Sequence, residues 1–306
     1  MDFCPPIPDG APLSDYLNLV ARLHNQAVSQ AAKRPDRTGT STYSVFGETL
    51  RFDLSKGFPL LTARRLPWKS VCVELCWFLD GRCDHAYLAQ RGCKFWDGWV
   101  SASGALGPIY GVQWRSFNGV DQISQLVYQL IENPYSRRHV VSAWNPSVLP
   151  LTSLSPQDNA DHGLMSLAPC HYTFQCYVTA PTQPGGKPKL SLQFNMRSSD
   201  VFIGLPNNIA SYALLLHLLA LVCGYEVGEL LYVGTDVHIY SNHLDACREL
   251  LSRAHQQALP ELPQLQLPYS VMDACTKPLF EIDPLLLQRC LVGYSPLPTI
   301  PAPLAI

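Results

Sequence analysis

Cys170-His171-Tyr172-Thr173-Phe174-Gln175-Cys176-Tyr177-Val178 is the stretch on which the reading of this chain turns. Its aromatic and β-branched residues suit a strand. Residues 190–196 read as the neighbouring strand, joined to it by the turn-rich 181–188. Asn208, two residues after Pro206, then opens an apolar run at 209–223 that is interrupted only by Ser211, Tyr212 and His217. That run falls short of the roughly 20 residues a bilayer span needs and reads as a long buried helix. Outward from this centre, Val140 to Trp144 reads as a strand, 42–52 alternates loosely, and 230–233 and 237–240 are short strand candidates. Ser14 or Asp15 is placed to cap a first helix carrying Tyr16, Leu19, Val20 and Leu23 at helical spacing. Residues 71–79 are apolar around a single acid, Glu74, residues 245–255 are helical, and 150–163 is a polar inserted loop. Strands and helices mix without strict βαβ alternation, and the Rossmann and P-loop glycine patterns are absent. The expectation is an α+β protein, mixed sheets packed with a long buried helix, with 13–306 as one domain behind a flexible proline-rich lead-in, 1–12.

Composition narrows the function classes. With 306 residues, a net charge of −2 and 15% charged residues, the chain carries a sizeable core and no basic block. Bulk nucleic-acid binding therefore has little electrostatic support. Eleven cysteines are present, but the odd count, the length and the lack of an N-terminal charged-then-apolar signal argue against a secreted disulfide scaffold. No Cys-x-x-Cys pair suggests a metal, and none is expected. No membrane association is expected either, and the compartment is read as reducing: cytoplasm, or the host's cytoplasm for a viral chain.

Several side chains carry chemistry. Cys170 is a candidate nucleophile, since a nearby Arg or His lowers a thiol pKa from about 8.5 toward the reactive thiolate. Arg37, Arg137, Arg138 and Arg197, with Ser198, could cradle a phosphomonoester through paired guanidinium bonds, or be scattered surface cations. Glu74 inside its apolar run is either a proton-transfer group with a raised pKa or half of a structural ion pair. His238 and Tyr240 share one strand face and could donate to a sugar hydroxyl, or pack in the core. Asn207 and Asn208 could be caps, and Trp96 and Trp99 could stack on a flat ligand or simply pack.

Taken together, these residues resemble the thymidylate synthase family over most of the chain. The resemblance is carried by Asp36-Arg37-Thr38-Gly39-Thr40, Glu74-Leu75-Cys76-Trp77-Phe78-Leu79 and Gly107-Pro108-Ile109-Tyr110-Gly111. It continues through Ser136-Arg137-Arg138, Ala168-Pro169-Cys170-His171, Arg197-Ser198-Ser199-Asp200, Asn208-Ile209-Ala210-Ser211-Tyr212 and His238-Ile239-Tyr240-Ser241-Asn242-His243. It implies a sheet-mediated homodimer acting on dUMP with 5,10-methylenetetrahydrofolate as co-substrate. Cys170 would add to C6 of the pyrimidine, Glu74 and Tyr110 would manage protons, and Asn208 would select uracil. Arg37, Arg197, Ser198 and Ser199 would hold the nucleotide with His171, His238, Tyr240 and Asp200, and Arg137 and Arg138 would reach in from the partner subunit. Trp96, Asp200, Gly204, Asn207, Arg64 and the terminal Ile306 would meet the folate.

Two departures from the family pattern fall in this set. Met196 stands where the family has glutamine, and Asn207 where it has phenylalanine. A carboxamide in place of an aromatic shield would admit water to the reactive C5-methylene, giving 5-hydroxymethyl-dUMP and tetrahydrofolate. The preferred expectation is therefore a deoxyuridylate hydroxymethyltransferase. Thymidylate synthase is the alternative, and a catalytically silent nucleotide-binding homologue is a third reading.

Overall fold

The computed structural model describes residues 3–29, 32–268, 270–271 and 282–304. Its centre is a five-stranded sheet of β1 (Thr42–Asp53), β2 (Val140–Ser142), β3 (His171–Thr179), β4 (Lys189–Asp200) and β5 (Glu226–Tyr240), in the order β1-β5-β4-β3-β2. β4 and β5 run parallel and every other pair is antiparallel. The expected β3–β4 pairing sets Phe174 opposite Phe194 and Cys176 opposite Leu192. The two short strands expected near 230 and 237 are one 15-residue strand, β5. The turn-like Gly234-Thr235-Asp236 between them stays extended because β1 pairs with it on one side and β4 on the other. Ladder bonds on both edges outweigh local turn preference.

Alternation puts Phe174, Cys176, Leu192, Phe194, Leu230 and Tyr232 on one buried face. A helix, Gly204–Cys223, covers it and is buried along most of its length, with Tyr212 stacked on Phe194 at 4.4 Å. By length and composition alone this helix could cross a membrane, but its side chains lie in the core. It begins four residues before Asn208. Pro206 sits in its first turn, where the missing N–H costs no helical bond. The other sheet face turns Gln175, Tyr177, Gln193 and Asn195 away from that core, and Tyr177 is 68% exposed.

The first helix, Ser14–Val28, buries Tyr16, Leu19, Val20 and Leu23 as its spacing requires. Neither Ser14 nor Asp15 caps it. Leu13 holds the N-cap position at φ 55°, with no side-chain cap bond. The lead-in expected to be flexible is docked on this helix. Asn25 exchanges two bonds of 2.7 Å with the Cys4 backbone, Asn18 exchanges two of 2.7 and 3.2 Å with Ile7, and Ile7 is buried. Side-chain amides satisfy this irregular backbone as a ladder would. Two further helices, Trp68–Leu79 and Tyr110–Ser116, pack so closely that a Cβ on Gly111 would lie 2.8 Å from the Phe78 backbone.

Candidate active site

The C-terminal ends of β4 and β5, the start of β3 and the first turns of Gly204–Cys223 converge on one cleft. Period-2 alternation along β4 delivers Met196, Ser198 and Asp200 to it, and the same rule on β5 delivers His238 and Tyr240. Gly204 and Asn208, one helical turn apart, line it from the helix. Glu74 and Tyr110 enter from the two tightly packed helices, and Phe95, Trp96 and Trp99 form an aromatic wall.

Cys170 sits just ahead of β3 at the centre of this cleft. Its backbone N–H donates to the Tyr110 hydroxyl at 2.8 Å. Arg197 donates to the carbonyls of Ala168 and Pro169, both at 2.8 Å, and so ties β4 to the segment leading into the cysteine. Burial pushes the Cys170 thiol up, and the Arg197 and Arg37 guanidiniums pull against that without cancelling it. The cations moderate a thiol that burial keeps high, where the sequence suggested a net lowering. His171 adds no charge. Burial pushes it down to about 3, its Nδ1 pairs with the Tyr212 hydroxyl at 2.9 Å, and its ring stacks on Tyr110 at 4.1 Å.

Burial pushes Glu74 up to about 7, partly offset by the Trp96 indole N–H donating to its carboxylate at 2.8 Å. Among the described residues, burial and the Trp96 bond account for this shift and no ion pair contributes to it. Asp200 goes the other way. Burial opposes its charge, but His243, His238 and the Ile203 N–H overcome that and hold the carboxyl below its usual range. His243, fully buried, reaches Asp200 at 3.8 Å through Nδ1 and the Pro303 carbonyl at 2.7 Å through Nε2. Sequence reasoning gave no separate role to His243, Phe95 or Leu167, although the 238–243 stretch already contained the histidine.

Several expected site residues lie elsewhere. Ser199 is fully buried, directs its hydroxyl at the Met196 sulfur, 3.7 Å away, and does not line the cleft that Ser198 lines. Arg64 is buried, donates to the Phe202 carbonyl and lies over the Phe202 ring at 4.5 Å, so it is not available to a folate tail. Asn207 donates to the Ile203 carbonyl at 2.8 Å along its own helix and does not line the cleft. Arg137 and Arg138 are exposed ahead of β2 and are absent from this chain's own cleft wall. Arg37 is exposed at the turn following Asp36, within electrostatic reach of Cys170. Ile306 lies outside the described residues. Among the described residues, no group of three or more His, Cys, Asp or Glu is placed to hold a metal ion.

The thymidylate synthase family profile matches residues 14–306. The chain belongs to the thymidylate synthase family. It is 44% identical over 263 residues to a protein named thymidylate synthase from Francisella philomiragia, spanning 85% of this chain and 92% of that one. It is 45% identical over the same length and shares to thymidylate synthases from Francisella tularensis subsp. holarctica. The family comprises one-carbon transferases that use methylenetetrahydrofolate as co-substrate and bind dUMP. Phe95, Trp96, Trp99 and Asp200 line the same cleft as Cys170 and Glu74.

Proposed function

We propose that this protein is a thymidylate synthase, converting dUMP to dTMP with 5,10-methylenetetrahydrofolate as one-carbon and hydride donor. The observation that carries this reading is the gathering of Cys170, Glu74, Tyr110 and Asn208 on one cleft. The Cys170 sulfur forms a bond to C6 of uracil, and the C5–C6 π pair moves toward C4–O4 as an enolate. C5, now electron-rich, bonds to the methylene carbon as that carbon's bond to one folate nitrogen breaks. Loss of the C5 proton then expels the second folate nitrogen. Hydride from the tetrahydrofolate passes to the exocyclic methylene as the Cys170–C6 bond breaks, leaving dTMP and dihydrofolate. Glu74, about half protonated near pH 7, supplies a proton toward O4 through water and later toward the departing folate nitrogen. Tyr110 polarises the base that removes the C5 proton. Asn208 accepts from N3–H and donates to O4, the uracil pattern. Asp200 takes the pterin edge, Trp96 covers it, and His238 and Tyr240 take the ribose hydroxyl. Arg37, Arg197 and Ser198 hold the phosphate, completed by Arg137 and Arg138 from a partner subunit docked on the exposed sheet face.

Between the two products, methyl is the better supported. The hydroxymethyl expectation rested on Asn207 bringing water to the exocyclic methylene, yet Asn207 does not line the cleft and its Nδ2 donates along the helix. The similar relatives also carry the thymidylate synthase name. Incubation with dUMP and methylenetetrahydrofolate should raise dihydrofolate absorbance and give dTMP by mass spectrometry. 5-Hydroxymethyl-dUMP with tetrahydrofolate would overturn the methyl assignment. No tritium release from C5-labelled dUMP would leave only a nucleotide-binding homologue.

A further inference from the structure

The inserted loop at 150–163 lines no part of the cleft, yet it is built around a buried amide. Asn159, 2% exposed, accepts from the Leu151 N–H at 2.8 Å and donates to the carbonyls of Leu151, Leu154 and Ser155. These bonds close the loop on itself, and a short helix, Pro156–Asp161, forms within it behind a Ser155 cap. From that rigid unit two side chains reach across to the segment bearing the aromatic wall. Gln157 Nε2 donates to the Gly98 carbonyl at 2.9 Å. Asp161 accepts from Ser103 at 2.7 Å, and Ser103 is bonded in turn to Ser101 at 2.8 Å. The gripped segment runs from Trp96, whose indole holds the Glu74 carboxylate, to Gly104. Trp96 and Trp99 lie edge-to-face within it, 5.9 Å apart.

We propose that Gln157 and Asp161 are positioning residues, and that the inserted loop clamps residues 96–104 so that Trp96 stays seated on Glu74 and the folate-side wall stays closed. The catalytic consequence rests on the proposed role of Glu74. The mechanical part stands without it. Asp161 is exposed and Gln157 half-buried, and neither belongs to the hydrophobic core. A wall that shifts by a fraction of an ångström loosens the co-substrate pocket and weakens the hydrogen bond that favours ionised Glu74, while the nucleotide contacts on β4 and β5 stay in place.

The test uses full-length Gln157→Ala, Asp161→Ala and the double variant. In the double variant the KM for methylenetetrahydrofolate should rise roughly tenfold. The acid–base midpoint in the pH profile of kcat should move upward, and dUMP affinity by calorimetry and the melting temperature should stay at wild-type values. Amide hydrogen exchange on the free protein should quicken in 96–104 and not in 170–200. Asp161→Asn, which still accepts from Ser103, should restore most of the loss seen in Asp161→Ala. Unchanged exchange in 96–104 overturns the clamp whatever the enzyme's activity. Faster exchange with an unmoved pH profile and folate KM overturns the link to Glu74. A wild-type protein that releases no C5 tritium overturns the proposed function and leaves the exchange result standing.

Discussion

Burial raises two acids in the cleft, Cys170 and Glu74, and for Glu74 this brings the proton into the range that chemistry near neutral pH can use. Cys170 is held in a buried site where Arg197 and Arg37 moderate an otherwise unfavourable thiolate. Cys170→Ser should therefore abolish turnover and C5 tritium release while dUMP affinity by calorimetry stays within a few-fold of wild type; residual activity would rule out the covalent route. Glu74 titrates at about 7 in the fold against 4.5 in an unfolded chain, because burial resists its charge more than Trp96 favours it. Below pH 4.5 both states are neutral and Glu74 has no influence on stability. As pH rises toward 7 the unfolded chain releases this proton and the folded one does not, so unfolding gains ground until both are ionised. Glu74→Gln should match wild type in melts at pH 4 and exceed it at pH 8, by at most ~3 kcal/mol at about 1.4 kcal/mol per pKa unit. The same variant should lose about 10²–10⁴ in kcat. A stability difference that does not vary with pH would show that Glu74 ionises like a surface acid.

Helices and strands hold those residues in register, and the tightest point is the contact of Trp68–Leu79 with Tyr110–Ser116. Gly111 allows it, since any side chain there would strike the Phe78 backbone at 2.8 Å. Backbone cannot swing aside as a side-chain tip can, so Gly111→Ala should cost about 1–3 kcal/mol in denaturant unfolding. It should also slow turnover by moving Tyr110 off the Cys170 amide, and wild-type kcat in a destabilised variant would show that this bond has no catalytic weight. What was legible in the sequence follows the same logic. Aromatic and β-branched residues on either side of the turn-rich 181–188 revealed β3 and most of β4, helical spacing revealed Ser14–Val28, and the apolar run at 209–223 revealed most of the central helix. His238 and Tyr240 were legible from their shared strand face, whereas Ser198 was picked out by its neighbouring cations and Asp200 by the family resemblance. The side-chain directions that depend on helix phase or on distant partners were not. Asn207 and Asn208 are neighbours in sequence but about 100° apart around the axis, so only the second faces the cleft. Arg64 is turned inward by Phe202, 138 residues away, which no local pattern announces.

At the scale of the whole molecule, the cleft holds too few cations for a dianionic phosphate. Arg197 spends two donors on backbone carbonyls, while Arg137 and Arg138 project outward at the β2 edge of the sheet. Beside them, Trp144, Tyr172 and Thr173 form an apolar hollow with Val140, which is 47% exposed, and Tyr177 stands clear on the same strand system. An apolar surface of this kind next to unpaired cations suits an isologous two-fold contact, in which each subunit lends its arginines to the other. The arrangement makes a sharp prediction about mixtures. A Cys170→Ser chain lacks the nucleophile but keeps its arginines, and an Arg137→Ala/Arg138→Ala chain keeps the nucleophile but starves its partner of cations. Each variant alone should be nearly inactive, the first through kcat and the second through a raised KM for dUMP. After co-denaturation and refolding together, half of the dimers are mixed and one of their two sites is complete, so about a quarter of wild-type activity should return. Tyr177→Asp, which puts a charge on the exposed sheet face proposed as the contact, should yield a monomer by sedimentation and abolish that recovery. Full activity in a sedimenting monomer would mean that the chain assembles its phosphate site from its own arginines.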